Sequence, residues 1–516
     1  MASVIPLTLL QLPNLIASGL PAAIIARLAG HEGAVSLIRA SGLALPVMAC
    51  VAPIAAVLAR RRRAWPVLLT GLLLIGAADL LGDSARSVLS IGVDRALHGL
   101  GAGIALPATL ALAWERPPRW CRLLARWWAV VAVISLVGAV PLMRDRLVGG
   151  DWRAALQPFP WLTAVALAAT ALYVALTGGS GPQARAAVTP AERSQLALLA
   201  GPAAGLCALD LGVSNQRASS VAVAAGVALL VLTGLAMVTS ADVVTGGERG
   251  RRGRLCFPLT GACAGFVLAP TAGAISALRP LAAGPDPALR ALWLPLAAAA
   301  AACILGAGIA WLLRAGPPAT AGLPATARGD GTRGSRAGAH AARHKAGKNS
   351  KAGKAGKDGK DGKDGKASKA GQRSSGALRC VLTGLIAAAA GLLVARVVGP
   401  NGSQAGLAGA FALLGGGLAT ALSAGIAEAT PAGAMTGLSL SLAGALTGYL
   451  VAAAIQIRLV GSLASATTGR RAATHALTRA AGWWELVAAA VIVAAAGGVF
   501  LLGRARRQQG EVPVRG

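Results

Sequence analysis

Charged side chains are scarce in this chain. They make up 13% of its 516 residues, where a soluble protein carries about 25%. That deficit excludes an ordinary water-soluble domain. Lysine is rarer still: the chain holds nine, all from Lys345 to Lys369 and one at every third position, so that every other basic residue is arginine. The seven cysteines (Cys50, Cys121, Cys207, Cys256, Cys263, Cys303 and Cys380) form no CxxC, and no Cys/His cluster has metal spacing. They read as small buried hydrophobes, with neither a disulfide framework nor a metal site expected. A Walker A sequence is missing, which excludes an ATP-driven pump with its own nucleotide domain. "GLGAG" (Gly99–Gly103) imitates a phosphate loop but follows no strand and lies in an apolar run. There is no serine elbow and no His/Glu metal pair, so no enzyme and no cofactor is expected. The first apolar stretch lacks a basic lead and runs on into Arg27, so a cleavable signal peptide is not expected either.

What is present is oil. The chain is 55% hydrophobic with a mean hydropathy of +0.63, and apolar runs long enough to cross a bilayer recur from end to end. Fourteen spans are expected, near 4–26, 35–59, 65–82, 88–114, 121–143, 158–178, 194–214, 218–241, 255–278, 289–313, 378–398, 404–426, 431–457 and 484–503. The fold class is therefore an all-α polytopic membrane protein. Alanine and glycine fill most spans and let helices approach closely. Ten tryptophans (Trp65, Trp120, Trp127, Trp128, Trp152, Trp161, Trp293, Trp311, Trp483 and Trp484) mostly mark span ends, as interfacial rings do.

Loop arginines set the orientation. With both termini inside, the cytoplasmic loops carry Arg60–Arg63, then Arg116, Arg119 and Arg122, then Arg249, Arg251, Arg252 and Arg254, and finally Arg504, Arg506 and Arg507. The opposing loop 458–483 holds Arg458, Arg470, Arg471 and Arg479, so the lysine-rich segment decides the matter. From Arg328 to Arg373 it has fourteen Lys/Arg against four Asp, a net of +10. Almost no side chain there exceeds Ala, too little apolar surface to offset ordering entropy, so a disordered linker over 315–377 is expected. Its Gly-Lys-Asp triplets lack the proline of collagen. The partners this implies are the lipid bilayer, with anionic headgroups at the Lys345–Lys369 tether; a solvated spacer is the plainer reading, and no nucleic acid is expected. High Ala, Gly and Arg with scarce Lys fit a GC-rich bacterium and hence its inner (plasma) membrane.

Ionisable groups inside a membrane are costly and so mark function by default. Asp94, Arg95 and His98 stand together in the fourth span. Spacings of three and four put all three on one edge of a helix, and His98 is the side chain able to change charge near neutral pH. The trio is the candidate proton-coupling element; the plain alternative is that Arg95 and His98 only pack and hydrogen-bond. Asn14, Asp79, Asp210 and Gln456 are candidates for a substrate pathway, with Asp79 and Asp210 expected near the outer ends of their spans. Glu115 is expected to pair locally with Arg116 and Arg119. The C-terminal half has no acid at mid-depth.

Certain residues carry a family resemblance. "DRALHGLGAGIALPATLALAWE" (Asp94–Glu115) resembles the fourth span of the major facilitator superfamily, whose fourteen-span drug:proton antiporter branch has Arg-x-x-Gln-Gly-x-Gly-x-Gly-x-x-x-Pro there. The matching positions are Arg95, His98, Gly99, Gly101, Gly103 and Pro107. "APIAAVLARRRRAWPVLLTGLLL" (Ala52–Leu74) stands where the family has its basic turn, and "VGGDWRAALQPFPWL" (Val148–Leu162) resembles the Trp-Arg approach to its sixth span. "FALLGGGLATAL" (Phe411–Leu422) and the run to Ile455 are similar to its twelfth and thirteenth spans. The departures are Ala56 and Arg60 for the turn's Gly and Asp, His98 for Gln, Gln11 and Leu12 where the first span has its acid, and Gly138-Ala-Val-Pro141 for a Gly-Pro pair.

The resemblance implies an N-terminal six-helix bundle over 1–180, two linking helices over 181–254, and a C-terminal bundle over 255–503 interrupted by the linker, with a tail over 504–516. It further implies a secondary transporter exporting small amphipathic molecules against protons. The lost motif residues leave a second reading open, a transport-inactive relative acting as a scaffold through its tether.

Overall fold

A computed structural model describes residues 2–10, 12, 40, 42–82, 84, 87–137, 160–177, 223, 226–228, 231, 256–283, 293–315, 361–399, 403–461 and 470–509. Regular structure among them is entirely helical. The helices are α1 (Val4–Leu9), α2 (Ala44–Arg61), α3 (Ala64–Gly82), α4 (Val88–Trp114), α5 (Pro118–Val137), α6 (Pro160–Thr177), α7 (Cys256–Ala283), α8 (Trp293–Ala315), α9 (Asp361–Val398), α10 (Gln404–Glu428), α11 (Pro431–Gly461) and α12 (Arg470–Gln509). Ten of the described helices are long and apolar enough to cross a membrane, and α7, with 28 residues, has its continuous apolar stretch at Phe257–Leu268. The expected span at 194–214, and most of those at 4–26 and 218–241, lie outside the described residues.

Local chemistry sets the ends. Ser87 and Ser90 form a reciprocal capping box at the start of α4, with Ser90 N–H donating to Ser87 Oγ at 3.1 Å and Ser87 N–H to Ser90 Oγ at 3.0 Å. Pro118 and Pro431 open α5 and α11 at the one position where a missing N–H costs nothing. The α9 helix closes on Gly399, whose φ of 66° only glycine adopts without strain, its N–H reaching Ala395 O at 2.8 Å.

One expectation is corrected. A disordered linker is expected over 315–377, yet α9 begins at Asp361, so its last part is helix; 316–360 lie outside the described residues. An apolar span has already met the cost of nucleation, each further residue adds one hydrogen bond, and Asp361 and Asp364 stand at the positive end of the helix dipole. The α12 helix runs to Gln509, past residue 504, where the expected tail begins.

Packing repeats between the halves. The α3·α4, α2·α4 and α3·α6 contacts are matched by α9·α10, α8·α10 and α9·α12. Across the molecule α5 meets α10 and α8, while α2 meets α11. Lipid gives little hydrophobic drive to join helices, so close backbone approach has to supply the attraction. A methyl on Gly71 would stand 2.7 Å from Gly101 O, and one on Gly101 2.7 Å from Gly71 O. Gly384 and Gly417 form the same reciprocal contact between α9 and α10, at 2.5 Å each way. Gly99 and Gly103 turn the other side of α4 to α2, against Ala44 and Met48, and Pro107 is buried one turn further on.

Candidate functional site

The capping box and glycine seams place the middle of α4 deep in the N-terminal half. His98 lies ten residues into the helix from Val88, about 15 Å at the α-helical rise. Asp94, Arg95 and His98 are each at most 1% exposed, and Asp79 on α3 is 7% exposed. The expected trio is therefore a quartet, with Asp79 folded over it instead of meeting water at its span end.

His98 is the hub. Its Nε2 lies 3.0 Å from Asp79 Oδ1. Its Nδ1 lies 3.1 Å from the backbone carbonyl of Asp94, to which it is hydrogen-bonded, and 3.3 Å from the same residue's Oδ1, a charge contact without a hydrogen bond. Thr163, from α6, donates its hydroxyl to Asp79 Oδ2 at 2.6 Å. The charges of Asp94 and Asp79 both act on the buried Arg95 guanidinium.

The hydrogen count follows from these contacts. A carbonyl accepts only, so Nδ1 must carry a hydrogen. Thr163 already donates to one oxygen of Asp79; the other faces Nε2. One proton must lie between them, on the ring or on the carboxyl, because without it two lone pairs would oppose each other. The formal charges agree: two carboxylates and one guanidinium leave a deficit of one, which a single proton on His98 or Asp79 cancels. An uncompensated buried charge costs about 3–5 kcal/mol.

Thr163 was not singled out in the sequence, and nothing local marks it; 84 residues separate it from Asp79, and only the packing of α6 on α3 brings them together. Asn14 and Asp210 lie outside the described residues. Gln456 falls in α11, and its side chain lies outside what is described. Glu115 does more than pair locally: its Oε1 accepts from the backbone N–H of Ala64 at 2.8 Å, capping α3 from 51 residues away. Burial raises its pKa above the usual carboxylate value, against the pull of that bond and of Arg116 and Arg63. Arg116 also donates to the Tyr173 hydroxyl and sits 5.2 Å from the ring centre. Among the described residues no group of His, Cys, Asp and Glu could hold a metal ion.

No family model matches the chain, and no curated protein does. Solved structures do. A peptide transporter POT in complex with sulfate has a TM-score of 0.52 at 15% identity, covering 96% of this chain and 94% of that one. A POT family transporter with a thioalcohol conjugated peptide has 0.51 at 11% identity, over 95% and 94%. Another with 5-aminolevulinic acid has 0.50 at 12% identity, over 96% of both. The likeness is one of fold: an all-α, multi-pass, major-facilitator-type architecture. It singles out no antiporter branch.

Proposed function

We propose that the protein is a secondary active transporter coupled to protons, in which the His98–Asp79 pair takes up and gives back the coupling proton. The single observation behind this reading is the 3.0 Å approach of His98 Nε2 to Asp79 Oδ1 in a buried setting, which calls for a proton between them. Arg95 and Asp94 hold the local charge near balance, so gaining or losing that proton tips the site between neutral and negative. Thr163 carries the change to α6, since its bond to Asp79 Oδ2 is strongest when the carboxylate is ionised. The fourth-span pattern and the fold support a transporter, and the antiporter branch it resembles supports export of small amphipathic molecules. Fold neighbours solved with a conjugated peptide and with 5-aminolevulinic acid add small zwitterions to the substrates worth testing. We place both termini and the lysine-rich segment in the cytoplasm of a bacterial cell, on the loop-arginine count.

The test is transport in proteoliposomes with an imposed pH gradient, using amphipathic dyes, short peptides and 5-aminolevulinic acid. The parent should move at least one of them with the gradient and collapse the gradient in doing so. Asp79→Asn should abolish coupling, and His98→Gln should leave movement that no longer responds to pH between about 5.5 and 8, a window around the ordinary histidine value. No gradient-dependent movement of any compound would favour the transport-inactive scaffold instead.

A further inference from the structure

The C-terminal half holds a second polar feature, away from the quartet. Where α9 ends and α10 begins, beside the start of the α12 span, a cavity of about 660 Å³ opens, within the usual range for small-molecule sites of roughly 300–1,000 Å³. Arg396 from α9 and Arg479 and Glu485 from α12 line it, and Phe411, Leu407 and Trp484 form apolar walls. Its inner wall is fixed. Trp484 is buried, donates its indole N–H to Thr271 Oγ1 at 3.2 Å, and stacks at a tilt on Phe266 with centroids 5.2 Å apart.

The charges are placed for a ligand of two signs. A methyl on Gly482 would collide with the Arg396 guanidinium, so the bare backbone of α12 is what lets that cation lie beside it. The Arg396 charge acts on Glu485, a half-buried carboxylate on the next turn. The outer part of the lining is oil: Val397 is 86% exposed and Trp483 56% exposed, a side chain and a ring that in a membrane face acyl chains and the interface.

The geometry points to a binding site for a zwitterionic phospholipid with a primary-amine headgroup. Phosphate would lie on Arg396 and Arg479, ammonium on Glu485, and an acyl chain along Val397 and Trp483. Two guanidiniums suit phosphate. A lone carboxylate distinguishes an ammonium, which donates hydrogen bonds, from a quaternary amine, which has none to give.

The full chain, purified and exchanged into nanodiscs of equal parts phosphatidylethanolamine, phosphatidylcholine and phosphatidylglycerol, is released into native mass spectrometry and its retained lipids are counted. The parent should retain phosphatidylethanolamine at least threefold over phosphatidylcholine. Glu485→Gln should bring that ratio to one, and Arg396→Gln, at an exposed position that does not threaten folding, should reduce retention of both. Soluble phosphoethanolamine at millimolar concentration should not displace the lipid, since it lacks the chain. Equal retention of the two lipids by the parent, an unchanged ratio in Glu485→Gln, displacement by the soluble headgroup, or a preference for phosphatidylglycerol would each overturn the assignment.

Discussion

The two halves share a packing skeleton and differ in what they bury within it. Among the described residues, the N-terminal half buries Asp79, Asp94, Arg95 and His98, whereas the buried polar side chains of the C-terminal half are hydroxyls: Thr260, Thr271, Ser423, Thr436, Ser439 and Thr447. Several of those hydroxyls donate to a carbonyl one turn back on their own helix, as Ser439 does to Met435 at 3.0 Å and Thr447 to Ala443 at 2.8 Å. A group satisfied inside its own helix asks nothing of its neighbours. The hydrogen bonds of the quartet, by contrast, form only when α3, α4 and α6 are in place together. One half is joined by shape, the other by shape and charge.

The largest expected effect tests that contrast directly. Arg95→Ala leaves two carboxylates buried without their cation and should cost about 3–5 kcal/mol, read as a fall in unfolding midpoint in detergent. Arg396→Ala, on an exposed C-terminal arginine, should stay within about 0.5 kcal/mol. Adding Asp94→Asn to Arg95→Ala should recover part of the loss. If Arg95→Ala and Arg396→Ala behave alike, the quartet is not what joins the N-terminal helices.

Shape, on the other hand, should count equally on both sides. Gly101→Ala and Gly417→Ala each push a methyl into backbone and should each destabilise by about 1–3 kcal/mol. Gly409→Ala has nothing within 4 Å of its new carbon and should be neutral or stabilising by up to about 1 kcal/mol. A large loss in only one half would break the claim of a common skeleton.

The indoles sharpen the comparison with a smaller effect. Trp128 donates to Thr109 at 3.0 Å in the N-terminal half, as Trp484 does to Thr271 in the other. Replacing either with Phe removes one hydrogen bond, about 0.5–1.5 kcal/mol, and leaves part of a buried ring's space unfilled; the two losses should match in the same thermal assay.

The smallest effect concerns pH at the α4 end. The Glu115 carboxyl is raised in the folded state, so the folded chain holds that proton more tightly than the unfolded one. Its contribution is present at low pH and fades as pH rises from the ordinary carboxylate value through the raised one. Glu115→Gln keeps an acceptor for Ala64 and should flatten that slope; Glu115→Ala should flatten it and also lose about 1 kcal/mol of cap. An unchanged slope in both variants would detach the group from the pH response.

Much of the fold was legible because lipid permits few solutions. Apolar run length located α3, α4, α10 and α11 to within a few residues, since each run had to be a helix with its polar backbone satisfied internally. The failure at α9 has the same origin: composition measures whether a segment can bury surface, not whether it can ride on a helix already formed. At the site, spacing revealed Asp94, Arg95 and His98 because they share one helix. Asp79 stood out as a charge but not as a partner. Thr163, a common residue on a distant helix, carried no signal, for its role exists only in the crossing of α6 on α3.

The proposed coupling through His98 and Asp79 has a consequence for work. If one proton crosses per cycle against an uncharged solute, a potential of 100 mV supplies about 2.3 kcal/mol. Tenfold in concentration costs about 1.4 kcal/mol, so that potential sustains a gradient of about 40-fold and no more. Each unit of pH difference adds a further factor of about ten. A site holding two protons would square these figures. The voltage dependence of the steady-state solute ratio thus counts the protons, and for this quartet the count should be one.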